Sequence, residues 1–231
     1  MFPIHDDNPT RITPYTTYAL LSACVLIFFW QISLGEAAQQ AVYSFGVIPS
    51  VLFATKSLPV ELEILPAWLT IFTSMFLHGG WMHLIGNMLY LWVFGNNVED
   101  AMGHKRFMLF YFSCGLMAAL TQAMLNPDSE IPMIGASGAI SGVLGAYVLL
   151  HPHARILVVI PIGILIYTPW IAAYWVLGFW FVLQLVSSLI SSSAMGGVAY
   201  GAHIGGFVAG MLLIPFFKYR NVRLFSPSRR R

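Results

Sequence analysis

Four polar side chains in otherwise apolar stretches have residue types that could carry out acyl transfer: His83, Asn87, Ser137 and His203. A serine hydroxyl becomes a nucleophile when a nearby base accepts its proton, and histidine is the commonest such base. His83 and Asn87 are four residues apart, so on a helix they project from one face as neutral donors for an oxyanion. Because no Asp or Glu lies near Ser137 or His203 in these stretches, the predicted pair is a dyad.

Ser137 also has a purely structural explanation, because a serine in a membrane helix usually hydrogen-bonds to its own backbone. It lies in the stretch IGASGAISGVLGAY (134–147), at the predicted first turn of a helix. Free N–H groups and the helix dipole favour a developing anion at that position. Ser141, one turn further along the same face, is a rival nucleophile that lacks those N–H groups. GASG does not match the G-x-S-x-G nucleophile elbow of α/β-hydrolases.

The composition predicts that these residues lie in a membrane. The 231 residues are 58% hydrophobic and 9% charged, with a mean hydropathy of +0.76. A soluble domain carries roughly a quarter charged residues, so we expect an all-α integral membrane protein. Six apolar stretches predict membrane spans: Tyr15–Leu34, Met82–Val98, Phe107–Leu125, Ser137–Leu150, Trp170–Ile190 and Val198–Phe217. The short β-branched run 156–160 is interpreted as a connector that packs against the bundle.

Basic residues predict the orientation of the spans, because Lys and Arg accumulate in cytoplasmic loops. With a cytoplasmic N-terminus, ten of the eleven Lys and Arg residues lie inside, and only Lys56 lies outside. We therefore expect a single multi-pass domain over 1–231 with cytoplasmic tails at 1–14 and 218–231. As a separate expectation, the membrane is a bacterial inner membrane. The inner set ends with Arg229, Arg230 and Arg231.

The outer loop over 35–80 is unusually long for a chain of this size and carries spaced aromatic residues. Such residues favour the water–lipid interface, so the loop is predicted to lie partly in the outer leaflet. The acidic residues at positions 36, 61 and 63 fall in the same loop, which agrees with an outer location.

Two stripes of small residues predict how the fourth and sixth spans pack: Gly138, Gly142 and Gly145 on one, and Ala202, Gly206 and Gly210 on the other. Such stripes let two backbones approach closely. Ser137 and His203 each lie one residue beside their stripe, so this packing would bring hydroxyl and imidazole together. The fourth span is short, at about 21 Å of helix against a hydrocarbon core of about 30 Å, so Ser137 is expected below the outer surface.

Three motifs together resemble the rhomboid family of intramembrane serine proteases: HGGWMHLIGNM (78–88), GASG (135–138) and AHIGG (202–206). They occur in family order on the second, fourth and sixth spans, and the resemblance covers about 68–215. It implies a six-transmembrane-helix bundle in which Ser137 is the nucleophile and His203 the general base. Asn87, His83 and the Ser137 backbone N–H would then stabilise the oxyanion.

The resemblance also implies a class of substrate and a reaction that needs no cofactor. The family cleaves transmembrane segments of other proteins near the outer face of the bilayer, with no cofactor, metal or nucleotide. The expected partners are transmembrane substrates and the lipid bilayer, and nucleic acid is not among them. Some members stack a tyrosine on the catalytic histidine, but this chain has Ser141 there, so packing or a neutral hydrogen bond must orient His203.

Two other functions remain open from the sequence. One is an inactive rhomboid-like protein that binds membrane helices without cleaving them, although such proteins are expected to have lost the serine or the histidine. The other is a small transporter or channel with a polar path through His83, Asn87 and His203. The element that opens to admit a substrate is also undecided, because the fifth span and the outer loop are both candidates.

Overall fold

The computed structural model describes residues 1–163, 165–190 and 198–226. The α-helices in these ranges are α1 (Tyr15–Ser33), α2 (Ala38–Phe45), α3 (Pro49–Leu52), α4 (Ala67–Thr73), α5 (Trp81–Met102), α6 (His104–Leu125), α7 (Ser137–Leu150), α8 (Ala173–Ile190) and α9 (Tyr200–Phe217). Short 3₁₀ helices cover Gly35–Ala37 and Ser74–Phe76. The basic residues Arg229, Arg230 and Arg231 lie outside the described residues.

A helix lies at each of the six positions where a membrane span was predicted, namely α1, α5, α6, α7, α8 and α9. Among the described residues, α1, α6, α8 and α9 are long and apolar enough to cross a bilayer. The 22 residues of α5 are interrupted by polar side chains, and α7 has only 14 residues. That α5 and α7 also cross the bilayer stays a prediction.

Close packing of α6, α7 and α9 forms the centre of the bundle. A Cβ atom at Gly206 would collide with the carbonyl oxygen of Gly138, and one at Gly210 would collide with that of Gly142. Backbone therefore lies directly against backbone, which only glycine permits at these positions. The predicted contact between the two small-residue stripes is present.

A small antiparallel sheet was not predicted from the sequence. Strand β2 (Arg155–Ile162) pairs with β1 (Phe2–Asp6) on one side, and with β3 (Leu165–Tyr167) and β4 (Trp170–Ala172) on the other. The β-branched run of β2 suits a strand, and its partners satisfy its backbone polar groups.

The sheet changes two expectations about the chain. The first residues of the 1–14 tail form β1, whose Phe2 pairs with Val159 and whose Asp6 pairs with Ile156. The fifth long helix begins at Ala173, because the three residues before it belong to β4. Local composition could not indicate either difference, because both depend on pairing with β2.

The outer loop is ordered by hydrogen bonds to the segment that precedes α7. Val47 and Met133 exchange two backbone hydrogen bonds, of 2.7 and 3.0 Å. Further along, the backbone N–H of Gly135 donates to the carbonyl oxygen of Ser74, with a nitrogen–oxygen distance of 2.8 Å. The loop thus holds the residues leading into Ser137. Its location at the lipid interface stays a prediction.

Candidate active site

Ser137 and His203 are in direct hydrogen-bonding contact. The distance from Ser137 Oγ to His203 Nε2 is 2.8 Å. Ser137 is the first residue of α7 and His203 lies in the first turn of α9, so the glycine contact between these helices brings two helix starts together. A serine at this distance from an imidazole has the geometry of a nucleophile and its base.

The second ring nitrogen of His203 contacts a side chain that the sequence analysis did not identify. His203 Nδ1 lies 2.8 Å from Gln184 Oε1, on α8. An amide oxygen only accepts hydrogen bonds, so Nδ1 carries the ring proton and Nε2 is left free to accept the hydroxyl proton of Ser137. A single glutamine in the apolar stretch of α8 was the signal that could have identified it, because polar groups in membrane helices are costly.

Ser141 is occupied by the backbone of its own helix. Its hydroxyl donates to the carbonyl oxygen of Ser137 at 2.6 Å, and its side chain is buried. This is the usual role of a serine within a membrane helix. The structure therefore brings Ser137, and not Ser141, to the imidazole.

His83 and Asn87, both on α5, face the backbone just before the nucleophile candidate. A Cβ atom at Gly135 would lie 2.6 Å from His83 Nε2 and 3.7 Å from Asn87 Nδ2. Gly135 also has a φ of +120°, a backbone conformation that residues other than glycine rarely adopt. Glycine at position 135 thus allows both polar side chains to approach the start of α7.

Both side chains are available as hydrogen-bond donors. The backbone N–H of Gly79 donates to His83 Nδ1 at 3.2 Å, so the proton of the neutral ring is on Nε2, the nitrogen that faces Gly135. In the part of the chain that the structure describes, the buried Nδ2 of Asn87 has no hydrogen-bond partner. A buried amide without a partner is costly, so it needs an explanation such as a ligand or a catalytic role.

The start of α7 offers further donors. Its N-cap residue is Ala136, and within the described residues no side-chain hydrogen bond caps this helix. The first N–H groups of an α-helix have no partner within the helix, and they lie at the positive end of its dipole. The backbone N–H of Ser137 is one of them.

His78, which belongs to the HGGWMHLIGNM motif, has a different environment. Its backbone N–H donates to Gln31 Oε1 at 2.9 Å, and Gln31 Nε2 donates to its carbonyl oxygen at 3.3 Å. The glutamine of α1 thus fixes the end of the outer loop at His78.

A cavity of about 50 Å³ lies beside Ser137. Its wall includes Ser74, Met133 and Gly135 from the outer loop and the segment before α7, and Ala202 from α9. About 10–15 Å³ of such volume holds one water molecule, so the cavity has room for water beside the start of α7. Within the described residues, no group of three or more His, Cys, Asp or Glu side chains is arranged to hold a metal ion.

Comparison with known proteins gives the family. The family model described as the rhomboid domain matches residues 66–220. The chain belongs to the rhomboid family. Together with four helices that are long and apolar enough to cross a bilayer, membership identifies this rhomboid as an integral membrane protein.

Curated relatives of this rhomboid come from several kinds of organism. It is 32% identical over 203 residues to Rhomboid protease GluP of Bacillus subtilis, and the aligned region covers 87% of this chain and 35% of that protein. It is 30% identical over 169 residues to the mitochondrial Rhomboid protein 1 of Saccharomyces cerevisiae, covering 69% of this chain and 45% of that protein. It is 26% identical over 163 residues to the chloroplastic Rhomboid-like protein 11 of Arabidopsis thaliana, covering 64% of this chain and 52% of that protein. The chain thus spans between about a third and about a half of the length of these relatives.

Proposed function

We propose that this rhomboid is an intramembrane serine endopeptidase that cleaves transmembrane segments of other proteins through a Ser137–His203 dyad. The observation that carries the proposal is the 2.8 Å contact between Ser137 Oγ and His203 Nε2. Similarity to a relative named as a rhomboid protease supports it. The 14-residue length of α7 supports cleavage near the outer face, because about 21 Å of helix leaves its N-terminal serine below the membrane surface.

In the first half of the reaction, the peptide bond is exchanged for an ester. Ser137 Oγ bonds to the carbonyl carbon of the scissile peptide while its proton passes to His203 Nε2. The carbon–nitrogen bond then breaks, its electron pair goes to the nitrogen, and His203 returns the proton to the leaving amine. The product is an acyl ester on Ser137.

In the second half, water hydrolyses the ester. His203 accepts a proton from water, whose oxygen bonds to the acyl carbon. The bond to Ser137 Oγ then breaks, and the hydroxyl recovers its proton from His203. The cavity whose wall includes Ser137 has room for this water. Neither a metal nor a nucleotide takes part.

Both tetrahedral intermediates carry a negative charge on the former carbonyl oxygen. The proposed donors to it are the buried Asn87 Nδ2, the His83 Nε2–H and the backbone N–H of Ser137. Neutral donors that are already held in place stabilise such a charge with little reorganisation.

A serine-directed fluorophosphonate tests the proposal. The reagent bonds to an activated serine hydroxyl with loss of fluoride. The wild type should be labelled, whereas Ser137→Ala and His203→Ala should not be. Ser141→Ala is the matched control and should keep its labelling, because the Ser141 hydroxyl bonds to a backbone carbonyl and not to the imidazole.

Cleavage is then measured with a single-span test protein in vesicles, and only the labelled variants should cut it. Equal labelling of the wild type and all three variants would contradict the assignment of Ser137 and His203 as a catalytic dyad. A wild type that is neither labelled nor active, yet still binds the test helix, would instead support an inactive rhomboid-like protein.

A further inference from the structure

The orientation of the His203 ring has no obvious source in the proposed dyad. In serine proteases with a triad, a carboxylate bonds to Nδ1 of the histidine and holds the correct tautomer. Among the residues that the structure describes, the hydrogen-bond partners of the His203 side chain are Ser137 and Gln184, and neither is a carboxylate. The amide of Gln184 occupies the position that a triad gives to an acidic residue.

The surroundings of Gln184 direct its oxygen towards the ring. Its Nε2 donates to the carbonyl oxygen of Trp180, one turn earlier in α8, at 3.5 Å. With the nitrogen on that side, Oε1 faces His203 Nδ1 at 2.8 Å. The 2.8 Å contact with the ring is the stronger of the two, and the long contact with Trp180 agrees with this orientation of the amide.

The face of the imidazole is covered by the same helix. The ring centroids of Trp180 and His203 are 5.8 Å apart, and the rings are inclined by 35°. Phe207, one turn after His203, stacks on Phe181 with centroids 4.5 Å apart. The contact with Trp180 thus restricts tilting of the His203 ring, while the bond to Gln184 restricts its rotation.

The position of Gln184 in the sequence also needs a reason. The stretch AYWVLGFWFVLQLV, from 173 to 186, has this glutamine as its one amide side chain. A polar group in a membrane helix is costly unless it finds a partner. The only hydrogen bond that the described residues provide for Gln184 Oε1 is the one to His203.

We propose that Gln184 is the positioning residue of this rhomboid, acting through His203 in the place of a triad carboxylate. It holds the proton on Nδ1, so that the lone pair of Nε2 faces the Ser137 hydroxyl. This inference rests on the proposed function, since it concerns the base of the same reaction. Gln184 does not touch the substrate.

Two substitutions of Gln184 distinguish a role in positioning the His203 ring from a role in helix packing. Gln184→Leu keeps the volume but removes the acceptor, whereas Gln184→Glu keeps an acceptor oxygen and adds a negative charge. The control is Gln122→Leu, because Gln122 of α6 also accepts a hydrogen bond from α9, from the backbone N–H of Ala202 at 3.2 Å, without contacting the imidazole.

The first measurement is the rate of fluorophosphonate labelling across a range of pH. We expect Gln184→Leu to be labelled about 10- to 10²-fold more slowly, a smaller loss than the ~10⁴-fold that follows when a triad carboxylate becomes an amide. Gln184→Glu should restore labelling, with half-maximal rate about one pH unit higher, because a carboxylate stabilises the protonated base. The other titratable groups facing the ring, His83 on α5 and Tyr200 on α9, are kept in every variant.

The second measurement reads the tautomer directly, from the ¹⁵N chemical shifts of the His203 ring. The wild type should have its proton on Nδ1, and Gln184→Leu should have a mixture of both tautomers. If Gln184→Glu does not fold, the ¹⁵N shifts of the His203 ring in Gln184→Leu test the inference on their own. An unchanged tautomer, or a labelling rate in Gln184→Leu equal to that of the Gln122→Leu control, would overturn the inference.

Failure of the proposed function has a different signature. In that case the wild type itself would not be labelled, while the ¹⁵N shifts would still report whether Gln184 holds the ring. If the wild type is labelled and Gln184→Leu is labelled at the same rate, only the positioning role of Gln184 is contradicted.

Discussion

Ser137 and Ser141 carry the same hydroxyl group one helical turn apart, yet their hydrogen bonds are different. Ser141 donates to a carbonyl oxygen of its own helix, as serines in membrane helices usually do. Ser137, as the first residue of α7, has no earlier helical turn to bond to, and its hydroxyl meets an imidazole. Position relative to the helix start therefore distinguishes the two serines.

Asn87 provides a test at the scale of a single residue. We expect Asn87→Ala to lower kcat/KM for a transmembrane substrate by about 10²–10³, the usual effect of removing one oxyanion donor. The melting temperature should change little, because the donor that is removed has no partner in the described structure.

The control for that experiment is Asn96→Ala, two and a half turns further along α5 and away from Ser137. It should keep its turnover within about twofold, as expected for a change away from the reacting atoms. Unchanged turnover in Asn87→Ala would cancel its assignment as an oxyanion donor.

At the scale of elements, the contact between α7 and α9 determines the distance within the dyad. In Gly206→Ala, the added methyl group would collide with the backbone carbonyl of Gly138, which cannot move independently of its helix. We expect the helices to separate and fluorophosphonate labelling to fall by about 10²-fold, since a displacement of about 1 Å is enough for such a loss.

Gly178→Ala is the matched control, because nothing lies within 4 Å of a Cβ atom at that position in α8. It should be labelled at the wild-type rate. Equal labelling of the two variants would show that the glycine contact does not align the dyad.

The sheet provides a second test at this scale, through the docking of β1. Asp6 is buried and accepts hydrogen bonds from Tyr147 Oη at 2.6 Å and from Asn97 Nδ2 at 2.8 Å. Burial raises the pKa of Asp6 from 3.8 to about 6, although the hydrogen bond from Tyr147 acts in the opposite direction. The folded protein therefore holds a proton on Asp6 at pH values where the unfolded chain has lost it.

The free energy of unfolding should consequently decrease as pH rises from about 4 to about 6, by up to about 3 kcal/mol from this group. Asp6→Asn removes the titration and should flatten this part of the profile, measured by unfolding in mild detergent. A profile with the same slope in Asp6→Asn would show that Asp6 does not couple folding to pH.

At the scale of the whole molecule, the orientation in the membrane is the main prediction. Lys105 and Glu130 are exposed near opposite ends of α6, whose 22 residues are about 33 Å long. In intact cells, a membrane-impermeant maleimide should label Glu130→Cys, and should label Lys105→Cys only after permeabilisation. The native Cys24 and Cys114 are both buried and should give little background. Labelling of both variants in intact cells, or the reverse pattern, would contradict the six-span topology.

The sequence by itself determined the membrane character of this protein, the positions of its long helices and the residues worth testing. These properties follow from local composition, because about 20 apolar residues form a helix wherever they occur in a bilayer. The small-residue stripes extended this to one tertiary contact, since glycines at that spacing leave a groove that another helix can enter. That contact predicted the pairing of Ser137 and His203, and the resemblance to rhomboids implied the same pair.

Only the tertiary structure decided which side chains complete the surroundings of that pair. Gln184 lies 19 residues before His203 on another helix, and Asp6 lies 141 residues before Tyr147, so no periodicity relates either to its partner. The strand Phe2–Asp6 likewise exists because β2 offers it backbone partners, and not because its own residues require it. Such contacts depend on how the helices pack around one another, which local composition does not specify.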